Sequence, residues 1–275
     1  MIGTALLLTL IFTGLLVGAL SGLLGVGGGF IMVPILLWLF MAMGLPEEIA
    51  LRLALGTSLV AIIPTALSGA LAHRRRGSLV WRASYLLGIS AAAGGVAGAI
   101  LAVYLPAETV RIFFGLVVLA AGLRVLLPQA DAGEDVPEID GSRYLLWGFP
   151  VGVVSGLAGI GGGVILVPIL TAVLRFGMLK AVAISTVVMI FAATAGTLSY
   201  MITGTGVSGL PPGTVGYVGL LQAAVIVVVS IPAARFGVAA AHRLPPAALR
   251  AAFVLLTGYI SLRMLGIFSL PGLPF

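Results

Sequence analysis

Two glycine clusters carry bare backbone at related places in the chain. They are "GVGGG" at 25–29 and "GIGGG" at 159–163. Each glycine inside a helix costs roughly 0.8–1 kcal/mol relative to alanine, so four in five residues should break one. Pro34 and Pro168 follow at matching offsets and loosen the next turn, which makes them hinge candidates. Unpaired backbone N–H groups ahead of a helix start are natural donors to an anionic oxygen. The competing use is close helix packing through small residues, as expected for Gly94, Gly95 and Gly98. Nucleotide motifs do not fit. No Lys-Ser/Thr follows either cluster, and Phe30 and Val164 stand where a G-x-G-x-x-G word needs its last glycine.

Hydroxyls form a second matched set. Thr57, Thr65 and Ser68 repeat their spacing at Thr186, Thr194 and Thr197, and Ser58 and Ser185 adjoin the first members. At 100° per residue each trio falls on one narrow helix face. Such groups donate to an oxyanion without a buried charge, although in apolar helices they also bond back to their own chain. Gln222 lies within an apolar stretch and is a further polar candidate. The anion-ligand candidates are thus Gly25, Gly27, Gly28, Gly29, Gly159, Gly161, Gly162, Gly163, Thr57, Ser58, Ser185, Thr186, Thr194 and Gln222.

The remaining residue types limit the chemistry. Of eight acids, five lie in 128–143, and Glu47, Glu48 and Glu108 stand near the ends of apolar stretches. No carboxylate sits in mid-stretch, which argues against a cation-specific site. Cysteine is absent, and His73 and His242 have no ligand-type neighbours, so no metal, cofactor or catalytic residue is expected. An intramembrane enzyme lacks its nucleophile and acid. Arg52, Arg111 and Arg263 are read as interfacial anchors that can also attract an anion.

The elements that position these groups follow from composition. Of 275 residues, 61% are hydrophobic and 8% charged, with a mean hydropathy of +1.26. Soluble domains carry about 25% charged residues. Successive apolar runs of near-membrane length predict an all-α, polytopic transmembrane bundle, with the lipid bilayer as partner. A net charge of +6 reads as topology-fixing arginine, not as a nucleic-acid surface. The N-terminal stretch lacks a basic leader and is expected to be a retained helix.

The chain is written twice. "SGLLGVGGGFIMVPIL" at 21–36 and "SGLAGIGGGVILVPIL" at 155–170 share twelve of sixteen positions. Residues 54–68 align with 183–197, and "LPAETVRIFFGL" from Leu105 with "LPPAALRAAFVL" from Leu244. One transmembrane domain, 1–275, is expected to hold repeat 1 (1–127), an acidic linker (128–143) and repeat 2 (144–275). Each repeat shows five segments: 4–20, 30–43, 49–71, 83–104 and 109–127, then 144–158, 164–175, 180–202, 214–236 and 247–267. An odd number of crossings predicts inverted topology for the second repeat, with broken helices at the glycine motifs. The segments flanking each motif can be full spans or re-entrant half-helices. With both termini outside and the linker cytoplasmic, eleven cations fall inside and three outside. The expected setting is a bacterial-type inner (plasma) membrane. Inverted repeats with broken helices are a recurring plan of secondary transporters. The sequence is compatible with a homodimer but does not specify one.

At these residues the chain resembles the TauE/SafE family of membrane permeases, also called the sulfite exporter or toluene sulfonate uptake permease family. The likeness covers the whole length, including both Gly-Pro words, the hydrophilic linker and the all-helical halves. It implies transport of small sulfur-containing anions: sulfite, sulfoacetate or related organosulfonates. Some members serve other organic anions, so a permease or channel for another small anion stays open. Cysteines used in the path of some sulfur transporters have no equivalent here, which excludes a thiol relay.

Overall fold

The computed structural model describes residues 4–24, 28–126, 140–241 and 246–267. Gly25, Gly27 and residues 128–139 of the acidic linker lie outside the described residues. The described helices are α1 (Thr4–Leu24), α2 (Gly29–Ala42), α3 (Glu47–Arg75), α4 (Trp81–Tyr104), α5 (Ala107–Leu126), α6 (Gly141–Ala158), α7 (Gly163–Pro168), α8 (Met178–Thr203), α9 (Leu220–Ala241) and α10 (Pro246–Met264). A π-helical turn, Ile169–Val173, continues α7, and a small hairpin, β1 (Thr214–Val215) with β2 (Val218–Gly219), precedes α9. The all-α polytopic expectation holds.

Two boundaries differ from the sequence reading. The apolar stretch 214–236 is not all helix: residues 214–219 form the hairpin, and α9 starts at Leu220. Gly213 and Gly216 with positive φ turn the chain there, a conformation that side chains with a Cβ resist. The linker also ends earlier, because Gly141 already opens α6. In its first turn, the Ser142 hydroxyl donates to the Asp140 carboxylate. That bond holds the Asp140 carboxyl below its ordinary range.

Helix pairing joins the two halves. α1 packs on α9, α6 on α4, α3 on α8 and α5 on α10, while α2 lies along α3 and α7 along α8. Exchanging each helix for the one five places on returns the same set of pairs. Small residues allow the closest of these approaches. Gly148, Gly152 and Gly156 of α6 bring its backbone against Leu87, Ala91 and Gly95 of α4 in turn. Gly14 and Gly18 of α1 meet Val229 and Ser230 of α9. Both of these pairs run parallel. Across α3 and α8 the order reverses: Gly56 meets Tyr200, Leu59 meets Gly196 and Gly69 meets Thr186. α5 and α10 are also antiparallel, with Gly115 near Ser261 and Gly122 against Thr257.

Depth is set by α3 and α8, which have 29 and 26 residues. At 1.5 Å per residue they are about 40 Å long and outrun a 30 Å hydrocarbon layer. With α4 and α5 they are the described helices long and apolar enough to cross a membrane. α2 has 14 residues, about 21 Å, and is too short to span. Its first residue packs on Ile62, at the middle of α3. α7 likewise starts beside Met189, near the middle of α8. Both short helices therefore begin beside the middles of the two longest helices.

Candidate functional site

The two glycine motifs meet. A Cβ built on Gly29 would lie 3.1 Å from the Cα and the carbonyl oxygen of Ile160 and 2.8 Å from Ile62 Cδ1. Gly161 also faces Ile62, and Gly163 faces the Met189 sulfur. The junction therefore lies between the middles of α3 and α8, with Gly28, Gly29 and Gly159–Gly163 all buried.

Local backbone explains why glycine stands here. Gly28 (φ 67°) and Gly162 (φ 80°) occupy the N-cap positions of α2 and α7 in the left-handed region. Gly159 (φ 66°) ends α6 the same way. A side chain in that conformation costs roughly 1–2 kcal/mol. Neither α2 nor α7 receives a side-chain cap. Their first N–H groups therefore receive no acceptor from the N-cap side chain, and each start carries the partial positive charge of its helix. The two prolines act differently. α2 continues through Pro34 as a regular helix. After Pro168 the chain widens into the π turn, because proline has no N–H to keep the α ladder closed. Pro34 borders an apolar pocket of about 310 Å³ between α1, α2 and α10.

The carbonyl end of α6 would repel an anion, and it is occupied. The Ser58 hydroxyl donates to the Gly159 carbonyl at 2.8 Å. The Tyr200 hydroxyl donates to the Gly156 carbonyl at 3.0 Å. Both bonds are buried and join different helices. Two carbonyls at the end of α6 are thus covered, while the starts of α2 and α7 carry no side-chain cap, a polarity that suits an anion.

The other sequence candidates divide. Thr57 is fully buried, and its oxygen accepts the Gly219 N–H at 2.9 Å, so its own proton stays available. Gln222 is 2% exposed, and its Oε1 has no partner. Gly219 lies between Gln222 and Thr57. Ser58 is present, but its proton is committed to Gly159. Ser185 and Thr186 bond back to the carbonyls of Val182 and Ala183 at 2.8 and 2.7 Å. Thr194 is exposed on α8. A helical period places hydroxyls on one face but does not decide between a neighbour and the residue's own chain.

Two groups were missed by the sequence reading. Ser155 is fully buried and its Oγ has no partner, while its Cβ lies 3.3 Å from a Cβ built on Gly162. The duplicated word opens on a serine in both copies, at Ser21 and Ser155, which is the signal that points to it. Tyr200 has no such signal, because its counterpart region carries no tyrosine. Thr197, a member of the second trio, is also buried without a partner. At the edge of the bundle Arg111 pairs with Glu47 at 3.5 Å and Arg52 with Glu48 at 3.9 Å. Arg263 reaches the Tyr259 hydroxyl at 3.4 Å.

Comparison with known proteins decides the family. The model of the sulfite exporter TauE/SafE family matches residues 10–264. The chain belongs to this family. It is 30% identical over 259 residues to a probable membrane transporter protein of Haemophilus influenzae, covering 94% of this chain and 97% of that one. A probable membrane transporter protein of Methanocaldococcus jannaschii is 29% identical over 265 residues, covering 94% and 96%. The probable membrane transporter protein YunE of Bacillus subtilis is 29% identical over 213 residues, covering 71% and 78%. No solved structure matches the chain. Membership of the TauE/SafE family, together with the apolar helices, makes this an integral membrane protein of a transporter family.

Proposed function

We propose that the protein is a secondary transporter that moves a small sulfur-containing anion, such as sulfite, sulfoacetate or a related organosulfonate, by alternating access. The observation that carries this is the meeting of two uncapped helix starts between the middles of α3 and α8, beside a helix end whose carbonyls are already bonded. Backbone amides of the glycine motifs hold the anion's oxygens, and Thr57, Ser155 and Gln222 complete the shell. Ser58 and Tyr200 keep the repelling carbonyls covered.

The two halves act as inverted-topology repeats. In support, the helix pairs are unchanged when the halves are exchanged, and the counterparts α3 and α8, like α5 and α10, pack antiparallel. A two-fold axis along the membrane normal would make such counterparts parallel, whereas an axis in the membrane plane makes them antiparallel. Rocking of one half against the other about that axis would expose the junction to each side in turn. The setting is a bacterial-type plasma membrane with both termini outside and the linker cytoplasmic.

The test is uptake and counterflow in proteoliposomes, comparing sulfite and sulfoacetate with acetate and chloride at fixed pH. Saturable flux with counterflow, confined to the sulfur anions, is expected. Non-saturable flux without counterflow would replace the carrier by a channel. Equal flux of acetate would remove the sulfur preference.

A further inference from the structure

One segment breaks the exchange of halves. The connection from α3 to α4 spans 76–80, whereas its counterpart from α8 to α9 spans 204–219 and folds back into the bundle. Tyr217 is 3% exposed and Val218 fully buried. The Tyr217 N–H donates to the Tyr200 carbonyl at 3.0 Å. Gly219 N–H donates to Thr57 Oγ1. Gly56 has no room for a Cβ, because the Tyr217 carbonyl lies directly against it. At the rim, the Arg52 guanidinium stands 5.9 Å above the Tyr217 ring.

The root of this hairpin touches Thr57, the neighbour of the residue that holds Gly159. It therefore covers α3 from Arg52 to Thr57, one residue short of Ser58. The counterparts of Gly56 and Thr57 in the second half are Ser185 and Thr186. Their hydroxyls bond to their own helix. Thr57 differs because the hairpin occupies its oxygen. The rest of the segment lies at the surface. Thr205, Gly206, Ser208, Gly209, Pro212 and Gly213 are exposed. The ladder has two residues per strand, and hairpins that short have little stability of their own.

We infer that the 204–219 hairpin is the gate on the side of the membrane that holds the N-terminal end of α3. The structure is the state in which that gate is closed. Opening the junction to this side withdraws Tyr217, Val218 and Gly219 from Gly56 and Thr57. The inference rests on the transport reading, and it assigns the gate to an element present in only one half.

The chain has no cysteine, so introduced thiols report cleanly. Arg52→Cys with Tyr217→Cys, joined by a short bis-methanethiosulfonate, ties the hairpin to α3 in proteoliposomes. Cross-linking is expected to lower counterflow at least tenfold, with recovery on reduction. Separately, Val218→Cys is expected to react with a small maleimide at least tenfold faster than Leu59→Cys, a core position equally buried here. Undiminished counterflow in protein shown to be cross-linked would overturn the gate. So would a Val218→Cys as inert as Leu59→Cys, which describes a fixed plug. If uncross-linked protein moves none of the tested anions while Val218→Cys still reacts quickly, the anion assignment fails and the moving hairpin stands.

Discussion

Gly29→Ala tests the contact on which the site depends. Gly29 is the first residue of α2 and its φ is negative, so alanine meets no backbone penalty there. Helix propensity alone would favour alanine by up to about 1 kcal/mol. The new methyl would sit 2.8 Å from Ile62 Cδ1 and 3.1 Å from the Ile160 backbone. The first is closer than real Cβ contacts come, and the second needs a shift of a few tenths of an ångström in a loop pinned by Ser58. Overpacking of this kind costs about 1–3 kcal/mol, so with the propensity gain a net loss of about 0–3 kcal/mol remains, toward the lower end because Cδ1 is the end of a flexible side chain. Ile62→Val removes Cδ1 and by itself costs about 0.5–1.5 kcal/mol. Because the two side chains collide, the double variant should be less destabilised than the sum of the singles, by about 1 kcal/mol. Unfolding in mixed micelles followed by tryptophan fluorescence measures the cycle, and counterflow in proteoliposomes measures the consequence. Additive effects would mean that Gly29 does not press on Ile62, and unchanged transport by Gly29→Ala would mean that the site does not depend on the close approach of Gly29 to Ile160.

Gly162→Ala forces a left-handed alanine against Val151 and Ser155, and should cost about 1–2 kcal/mol and abolish counterflow in folded protein. Ser58→Ala and Tyr200→Phe each leave a buried carbonyl without its donor. Each is expected to destabilise by about 1–3 kcal/mol and to raise the KM for the anion in flux assays. Gln222→Glu would place a carboxylate beside the junction, and a KM raised at least tenfold, about 1.4 kcal/mol, is expected, with Gln222→Leu milder. Arg111→Ala breaks a largely buried pair with Glu47, and a loss of about 1–3 kcal/mol in unfolding is expected.

The class of the protein, its helices and its glycine breaks were legible in the sequence because each is a local property. Hydrocarbon burial needs only runs of apolar residues, and a helix breaks wherever four glycines crowd five positions, whatever surrounds them. Duplication was legible because identical words need no structure to be compared. The α9 boundary was not legible, since 214–219 is apolar enough to continue a span and only its glycine turns and its seat on α3 make it a hairpin. The site was half legible. Both motifs could be named, but their meeting depends on α3 packing on α8, a pairing between residues more than a hundred positions apart. The use of each hydroxyl was decided at the same level. Thr57 and Thr186 occupy equivalent places in the two repeats, yet one receives the hairpin and the other turns to its own carbonyl. A hydroxyl takes whichever acceptor or donor lies within reach, and only the packed structure sets that distance.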